Sequence, residues 1–290
     1  MTKRKIADLD LGQIAASGQC FRMVQKRENV YALTAFGKYL EIEQKGDVFS
    51  FSCTEKEFGE IWEDYLDLHT DYGAIKRSVD EEDAYLTEAV QKGWGIRILR
   101  QDLWEMIVTF LVSQNNNISR IRKSIELLCS TIGEEKHTGE GVRYHTFPEP
   151  EAIVNAGMEV LSGLGLGYRD KYIFRTAQSV LDGSLDLNML RAADYETAHR
   201  ELVRQYGIGK KVANCVCLFG LHHIDAFPVD TWIEKILMEQ YFDRKKYRRI
   251  PKNRLCETIV ADVFGRYSGC AGIMQQYIFY YERSVRQGRE

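Results

Sequence analysis

Residues 195–221, YETAHRELVRQYGIGKKVANCVCLFGL, read as helix, tight turn, helix: one amphipathic run stops at Gly207-Ile208-Gly209 and a new apolar period begins at once. The hairpin proper occupies about 196–221. Gly207 and Gly209 are expected to give the turn backbone angles that other residues avoid. The amides of Ile208, Gly209 and Lys210 then point outward at a helix N-terminus, where backbone hydrogen bonds and the helix dipole suit a phosphate. Two lysines follow, Lys210 and Lys211. Either is compatible with the solvated start of an ordinary helix. A half-buried lysine at that positive helix end would instead favour its neutral amine, a nucleophile able to form a Schiff base.

Asp230 stands nineteen residues after Lys211, about one helix and a return loop. It directly precedes TWIEKILMEQYF and is the expected N-cap of that helix. A cap carboxylate can also face a cleft, and a lysine and an aspartate facing each other beside a phosphate-binding turn form a chemical arrangement.

The fold class follows from the flanking chain. Residues 30–53 alternate in polarity, carry β-branched and aromatic residues, and have turn signals at Gly37 and at Lys45-Gly46-Asp47. From Thr54 the period changes: Thr54 and Glu57 are placed as a capping box, with Phe58, Ile61, Trp62 and Tyr65 on one helical face. Beyond about residue 98 only helical patterns occur, joined by Gly- and Pro-containing connections around 133–150 and 243–253. The expected architecture is α+β: an N-terminal antiparallel β-sheet domain with helices (1–98) packed on a two-lobed all-α core (99–290).

Bulk properties narrow the function. The chain has 290 residues, 44% of them hydrophobic, enough for a sizeable core. No apolar run is long enough for a membrane span, and the basic start MTKRKIADLDLG continues into acids rather than an apolar signal core, so an intracellular protein of cytoplasm or nucleoid is expected. Seven scattered cysteines show no CxxC and no metal-ligand spacing, as reduced thiols would. A net charge of -3 argues against a protein that coats nucleic acid, so any DNA footprint must be local.

GIGKKVANC followed by PVDTW (228–232) resembles the helix-hairpin-helix DNA glycosylase superfamily, specifically its 8-oxoguanine DNA glycosylase/lyase branch. SGQCFRM (17–23), LRQDLWEMIVTFLVSQNNNISRI (99–121), GLGYRDKYI (165–173) and AGIMQQYIF (271–279) match in the same order, so the likeness covers nearly the whole chain. The resemblance implies that Lys211 attacks the sugar C1′, while Lys210 holds the variable position. It implies that Asp230 caps its helix, assists proton transfer and stabilises cationic character on the sugar. The Gly18 carbonyl would accept the N7–H that distinguishes 8-oxoguanine from guanine. Gln275 would read the Watson–Crick edge of the extruded base, with Phe279 and Cys215 sandwiching it. Asn115 would enter the vacated space, Arg120 and Arg169 would contact the opposite cytosine, and Tyr168 would be a wedge that bends the duplex.

The implied partner is double-stranded DNA containing 8-oxoguanine, bound by a monomer that uses no cofactor and no metal. Relatives with a four-cysteine iron–sulfur loop differ, since the C-terminal region offers only Cys256 and Cys270. One departure is Trp232, where many members carry a phosphate-contacting histidine; an indole N–H could still donate to a phosphate oxygen. Two alternatives remain at this level: a helix-hairpin-helix glycosylase for another damaged base, and a non-catalytic DNA-binding protein using the hairpin only as a phosphate clamp.

Overall fold

The computed structural model describes residues 1–287. Five antiparallel strands, β1 (Thr2–Lys5), β2 (Met23–Arg27), β3 (Val30–Ala35), β4 (Lys38–Lys45) and β5 (Val48–Phe51), lie in the order β1-β5-β4-β3-β2. Phe36 and Gly37 join β3 to β4 with φ of 50° and 68°, the paired left-handed residues that match a two-residue turn to strand twist. Leu33, Leu40, Ile42, Phe49 and Phe51 are buried on one sheet face against Phe58 and Trp62 of the following helical segment. Thr54 caps that segment, accepting from the Glu57 amide at 3.1 Å. The Glu57 carboxylate accepts instead from Trp62 Nε1 at 3.1 Å, so only half of the capping box forms. The sheet exceeds what the alternation at 30–53 shows, because β1 and β2 are short and charged.

The helices that carry the site are α1 (Leu11–Ala16), α2 (Ala84–Lys92), α3 (Leu103–Ser113), α4 (Ile118–Ile132), α5 (Arg169–Leu181), α6 (Tyr195–Val203), α7 (Lys210–Phe219), α8 (Thr231–Ile236), α9 (Lys252–Phe264) and α10 (Ala271–Gln287). One apolar cluster lies under the sheet, and a larger one joins the helices. Leu86, Ala89 and Val90 of α2 belong to the helical cluster. Tyr85 bonds Glu282 at 3.1 Å and Tyr281 bonds Glu88 at 2.5 Å across the α2–α10 contact. Packing thus draws the end of the N-terminal segment into the helical core.

Asp67 stitches the two parts. It is fully buried, accepts from Tyr72 Oη at 2.8 Å and Arg100 Nε at 3.0 Å, and lies 3.3 Å from His222 Nε2. Burial alone would raise its carboxyl, but His222, Tyr72 and Arg100 outweigh that and hold it at about 2.

The region beyond residue 98 is not purely helical. Within 133–150, predicted as a connection, β6 (Glu135–His137) and β7 (Arg143–His145) form a hairpin. Three-residue strands, Glu-Lys-His and Arg-Tyr-His, are too short and too polar to show an apolar alternation. The hairpin docks on the sheet through Tyr144, whose hydroxyl donates to the Gly37 carbonyl at 3.3 Å. No helix among the described residues is long and apolar enough to cross a membrane.

Candidate active site

The turn between α6 and α7 distinguishes its two glycines. Gly207 has φ +87°, and a Cβ there would lie 2.4 Å from Tyr172 Cγ, so both the angle and the ring contact demand glycine. Gly209 is extended, at φ -92° and ψ 175°, which any residue adopts. A Cβ on Gly209 would meet nothing within 4 Å. The expected special angle therefore belongs to Gly207 alone, and Gly209 instead leaves open approach. The Ile208 amide is also not outward: it donates to the Gln205 carbonyl at 3.1 Å, and its side chain is buried. Gly209 and Lys210 remain, at a helix start with no side-chain cap.

The two lysines diverge, as successive residues on a helix must. Lys210 Nζ pairs with Glu257 Oε1 of α9 at 2.7 Å. Lys211 enters a cleft of about 350 Å³ lined also by Gly18, Phe21, Phe110, Ser113, Asp230 and Phe279. Its Nζ lies 3.4 Å from Ser113 Oγ and 5.5 Å from the centre of the Phe110 ring. No carboxylate of a described residue forms a salt bridge with it.

Asp230 caps α8 as its position predicts, and it does so with one oxygen. Oδ1 accepts from the amides of Trp232 at 3.0 Å and Ile233 at 2.9 Å, while Oδ2 has no hydrogen bond among the described residues. The cap leaves one carboxylate oxygen for the cleft that Asp230 shares with Lys211. Trp232 lines the same cleft.

Gly18 has φ +78°, and its missing Cβ would stand 3.3 Å from Phe279 Cε1, so these two expected pocket residues face each other. Gln275 and Cys215 are buried and lie outside the cleft lining. Gln275 Oε1 accepts from Gln276 Nε2 at 3.2 Å. Burial pushes the Cys215 thiol up, and Lys211, one turn earlier on α7, pulls it the other way.

The three asparagines build a junction rather than weaken a helix. Asn116 Nδ2 donates to the Val112 carbonyl at the end of α3 (3.1 Å), and Asn117 caps α4 by accepting from the Arg120 amide at 2.9 Å. Asn115, the first of the three, is exposed, with φ +47°, a conformation asparagine tolerates better than most residues. Arg120 is exposed on the first turn of α4.

Arg169 differs from the expected free DNA-reading side chain. It is buried, and its guanidinium donates through Nε to Gln114 O at 2.9 Å, through Nη1 to Leu166 O at 3.1 Å, and through Nη2 to Asn115 O at 3.0 Å and to Gln114 O. It binds the turn that presents Asn115. Beside it Tyr168 is 48% exposed, with the guanidinium 4.6 Å over its ring, an outward aromatic on a rigid base.

The cleft also contains residues the sequence motifs did not single out: Ser113, Asn116, Asn117 and Arg283. Arg283 follows Phe279 and Gln275 at intervals of four on α10, a helical stripe readable from the sequence.

Two family models match the chain: residues 2–107 fit the 8-oxoguanine DNA glycosylase N-terminal domain, and residues 108–260 fit the HhH-GPD superfamily of base excision DNA repair proteins. The N-glycosylase/DNA lyase of Saccharomyces cerevisiae is 35% identical over 211 residues, 64% of this chain. That stretch is 56% of the yeast protein's own length, so the match spans little more than half of it. A solved structure of MBOgg1 in complex with a low-affinity DNA ligand superposes with a TM-score of 0.88 at 37% identity, over 98% of this chain and 96% of that one. The Clostridium acetobutylicum 8-oxoguanine glycosylase/lyase in complex with double-stranded DNA containing cytosine opposite 8-oxoguanine gives 0.89 at 31% identity, over 98% and 94%. From its sheet domain through its hairpin and Lys211–Asp230 cleft, the chain belongs to the 8-oxoguanine DNA glycosylase family of the HhH-GPD superfamily.

Proposed function

We propose that the protein excises 8-oxoguanine from duplex DNA, opposite cytosine, and then nicks the strand 3′ to the abasic site. The observation that carries this reading is that Lys211 and Asp230, whose Oδ2 the cap leaves uncommitted, line one cleft of about 350 Å³ walled by Gly18 and Phe279. The likeness to MBOgg1 and to an 8-oxoguanine glycosylase/lyase, each solved in complex with DNA, supports it.

The duplex backbone approaches the open Gly209 and Lys210 amides, and the damaged base leaves the stack to enter the cleft. The Lys211 amine attacks C1′: the C–N bond forms, the bond from C1′ to the base breaks, and the amine proton passes to the departing base. Asp230 stabilises the positive charge that develops on the sugar. Ring opening gives a Schiff base between Lys211 and C1′. Loss of a C2′ proton then expels the 3′ phosphate by β-elimination, and water releases the sugar fragment from the lysine. These steps need neither metal nor cofactor, and one copy of the chain supplies every residue named.

The test is borohydride trapping on duplexes holding 8-oxoguanine, other oxidised purines or alkylated bases, each opposite all four bases. Wild type should form a covalent complex with 8-oxoguanine opposite cytosine, and Lys211→Gln should form none. A complex that persists in Lys211→Gln would remove Lys211 as the nucleophile, and equal trapping across lesions would remove the lesion assignment.

A further inference from the structure

The chain that presents Gly18 is held by two arginines from different helices. Arg122 of α4 donates Nη2 to the Ala15 carbonyl, and Arg283 of α10 donates Nη1 to the Ala16 carbonyl at 3.0 Å. These carbonyls stand at the C-terminal end of α1, where unpaired oxygens carry partial negative charge and a guanidinium makes a strong, directional partner. From the other side, the buried Gln19 side chain donates to Ser17 Oγ at 3.0 Å and to the Arg97 carbonyl at 2.8 Å, and accepts from the Leu99 amide at 2.9 Å. Arg283 also lies 5.6 Å over the Phe279 ring, and its Nη1 would be 3.7 Å from a Cβ on Gly18. One side chain thus touches both the glycine loop and the aromatic wall of the cleft.

We propose that Arg122 and Arg283 are positioning residues that set the gap between the Gly18 carbonyl and the Phe279 ring, and thereby the selectivity for 8-oxoguanine. This rests on the reading of Gly18 as the group that accepts the lesion's N7–H. A hydrogen bond to that proton needs a heavy-atom distance of about 2.7–3.2 Å, so a carbonyl displaced by a fraction of an ångström loses it. Guanine presents a lone pair at N7, and a fixed carbonyl repels it; a loosened carbonyl retreats and discriminates less. Selectivity then depends on how firmly the loop is bolted, and Arg122 and Arg283 tie it directly to the helical core.

The experiment compares single-turnover excision of 8-oxoguanine opposite cytosine with nicking of a preformed abasic site, which offers no base to read, in wild type, Arg283→Leu, Arg122→Leu and Arg283→Lys. Thermal unfolding confirms that each variant is folded. Each leucine variant should lose about 10-fold or more in excision relative to nicking, as the loss of a charge-assisted hydrogen bond predicts. Arg283→Lys should recover most of that ratio, since an ammonium can still donate to the Ala16 carbonyl. If both activities fall in parallel, or the ratio stays at its wild-type value in both leucine variants, the proposal is overturned. Wild type that nicks abasic sites but leaves 8-oxoguanine in place would overturn the lesion reading, and this inference with it.

Discussion

Replacing Asp230 with asparagine removes a charge and keeps a cap. Both cap bonds, from Trp232 at 3.0 Å and Ile233 at 2.9 Å, end on Oδ1, so the amide oxygen of asparagine takes that place and its NH₂ group turns to the cleft. Asparagine and aspartate cap about equally well, so Asp230→Asn should keep stability to within a few tenths of a kcal/mol. Asp230→Ala loses the cap as well, about 1 kcal/mol, or about 2 °C in a protein of this size. For the reaction, a carboxylate facing a developing cation is worth about 3 kcal/mol, so both variants should slow excision by about 100-fold or more. Single-turnover excision and thermal unfolding on the three proteins separate the two duties. If Asp230→Asn excises within about threefold of wild type, the charge is not used and capping is the whole duty of Asp230. If Asp230→Ala unfolds no earlier than Asp230→Asn, the two cap bonds contribute nothing to stability.

Gly207→Ala should destabilise by about 2–4 kcal/mol, from its positive φ together with the clash on the Tyr172 ring. Gly209→Ala should unfold within about 0.5 kcal/mol of wild type yet weaken duplex binding; urea unfolding and DNA titration read both. Burial pushes the Glu105 carboxyl up to about 7, against the opposing pull of Arg22. The folded state then holds that proton more tightly than the unfolded chain, whose glutamate titrates near 4.3, roughly. The stabilising contribution is complete below the unfolded value and is lost as pH rises through about 7. Unfolding midpoints measured from acid to neutral pH should decline less in Glu105→Gln than in wild type; an identical slope in both would remove Glu105 as its source.

The hairpin and the Asp230 cap were legible because each lies in a short segment whose turn, cap and helix signals agree, whereas only the family resemblance separated Lys211 from Lys210. The 30–53 strands were legible for the same reason: a single alternation runs through paired turns. What stayed hidden depended on distance along the chain or on burial. Arg122 and Arg283 meet the α1 loop across 107 and 267 positions, and no local pattern announces such a meeting. Arg169 is expected from the resemblance to contact the opposite cytosine, and nothing in its own segment shows that its guanidinium meets the carbonyls of Gln114 and Asn115. Three asparagines in a row would cost a continuous helix stability; between the end of one helix and the start of another, asparagine is among the best residues available. Gly207 and Gly209 look alike in sequence, and only the folded backbone, with φ +87° at Gly207 and the Tyr172 ring against it, tells them apart.

The buried Arg169 has a further consequence for the proposed encounter with DNA. Four hydrogen bonds hold its guanidinium to the carbonyls of Gln114, Asn115 and Leu166, so it is unavailable to a base until the turn opens. On the proposed reading that Arg169 meets the base opposite the lesion, the apparent affinity of that contact is reduced by the fraction of time the turn spends open. A turn that opens only around an extruded nucleotide would keep the protein mobile on intact DNA and tighten its hold where a base has left the stack.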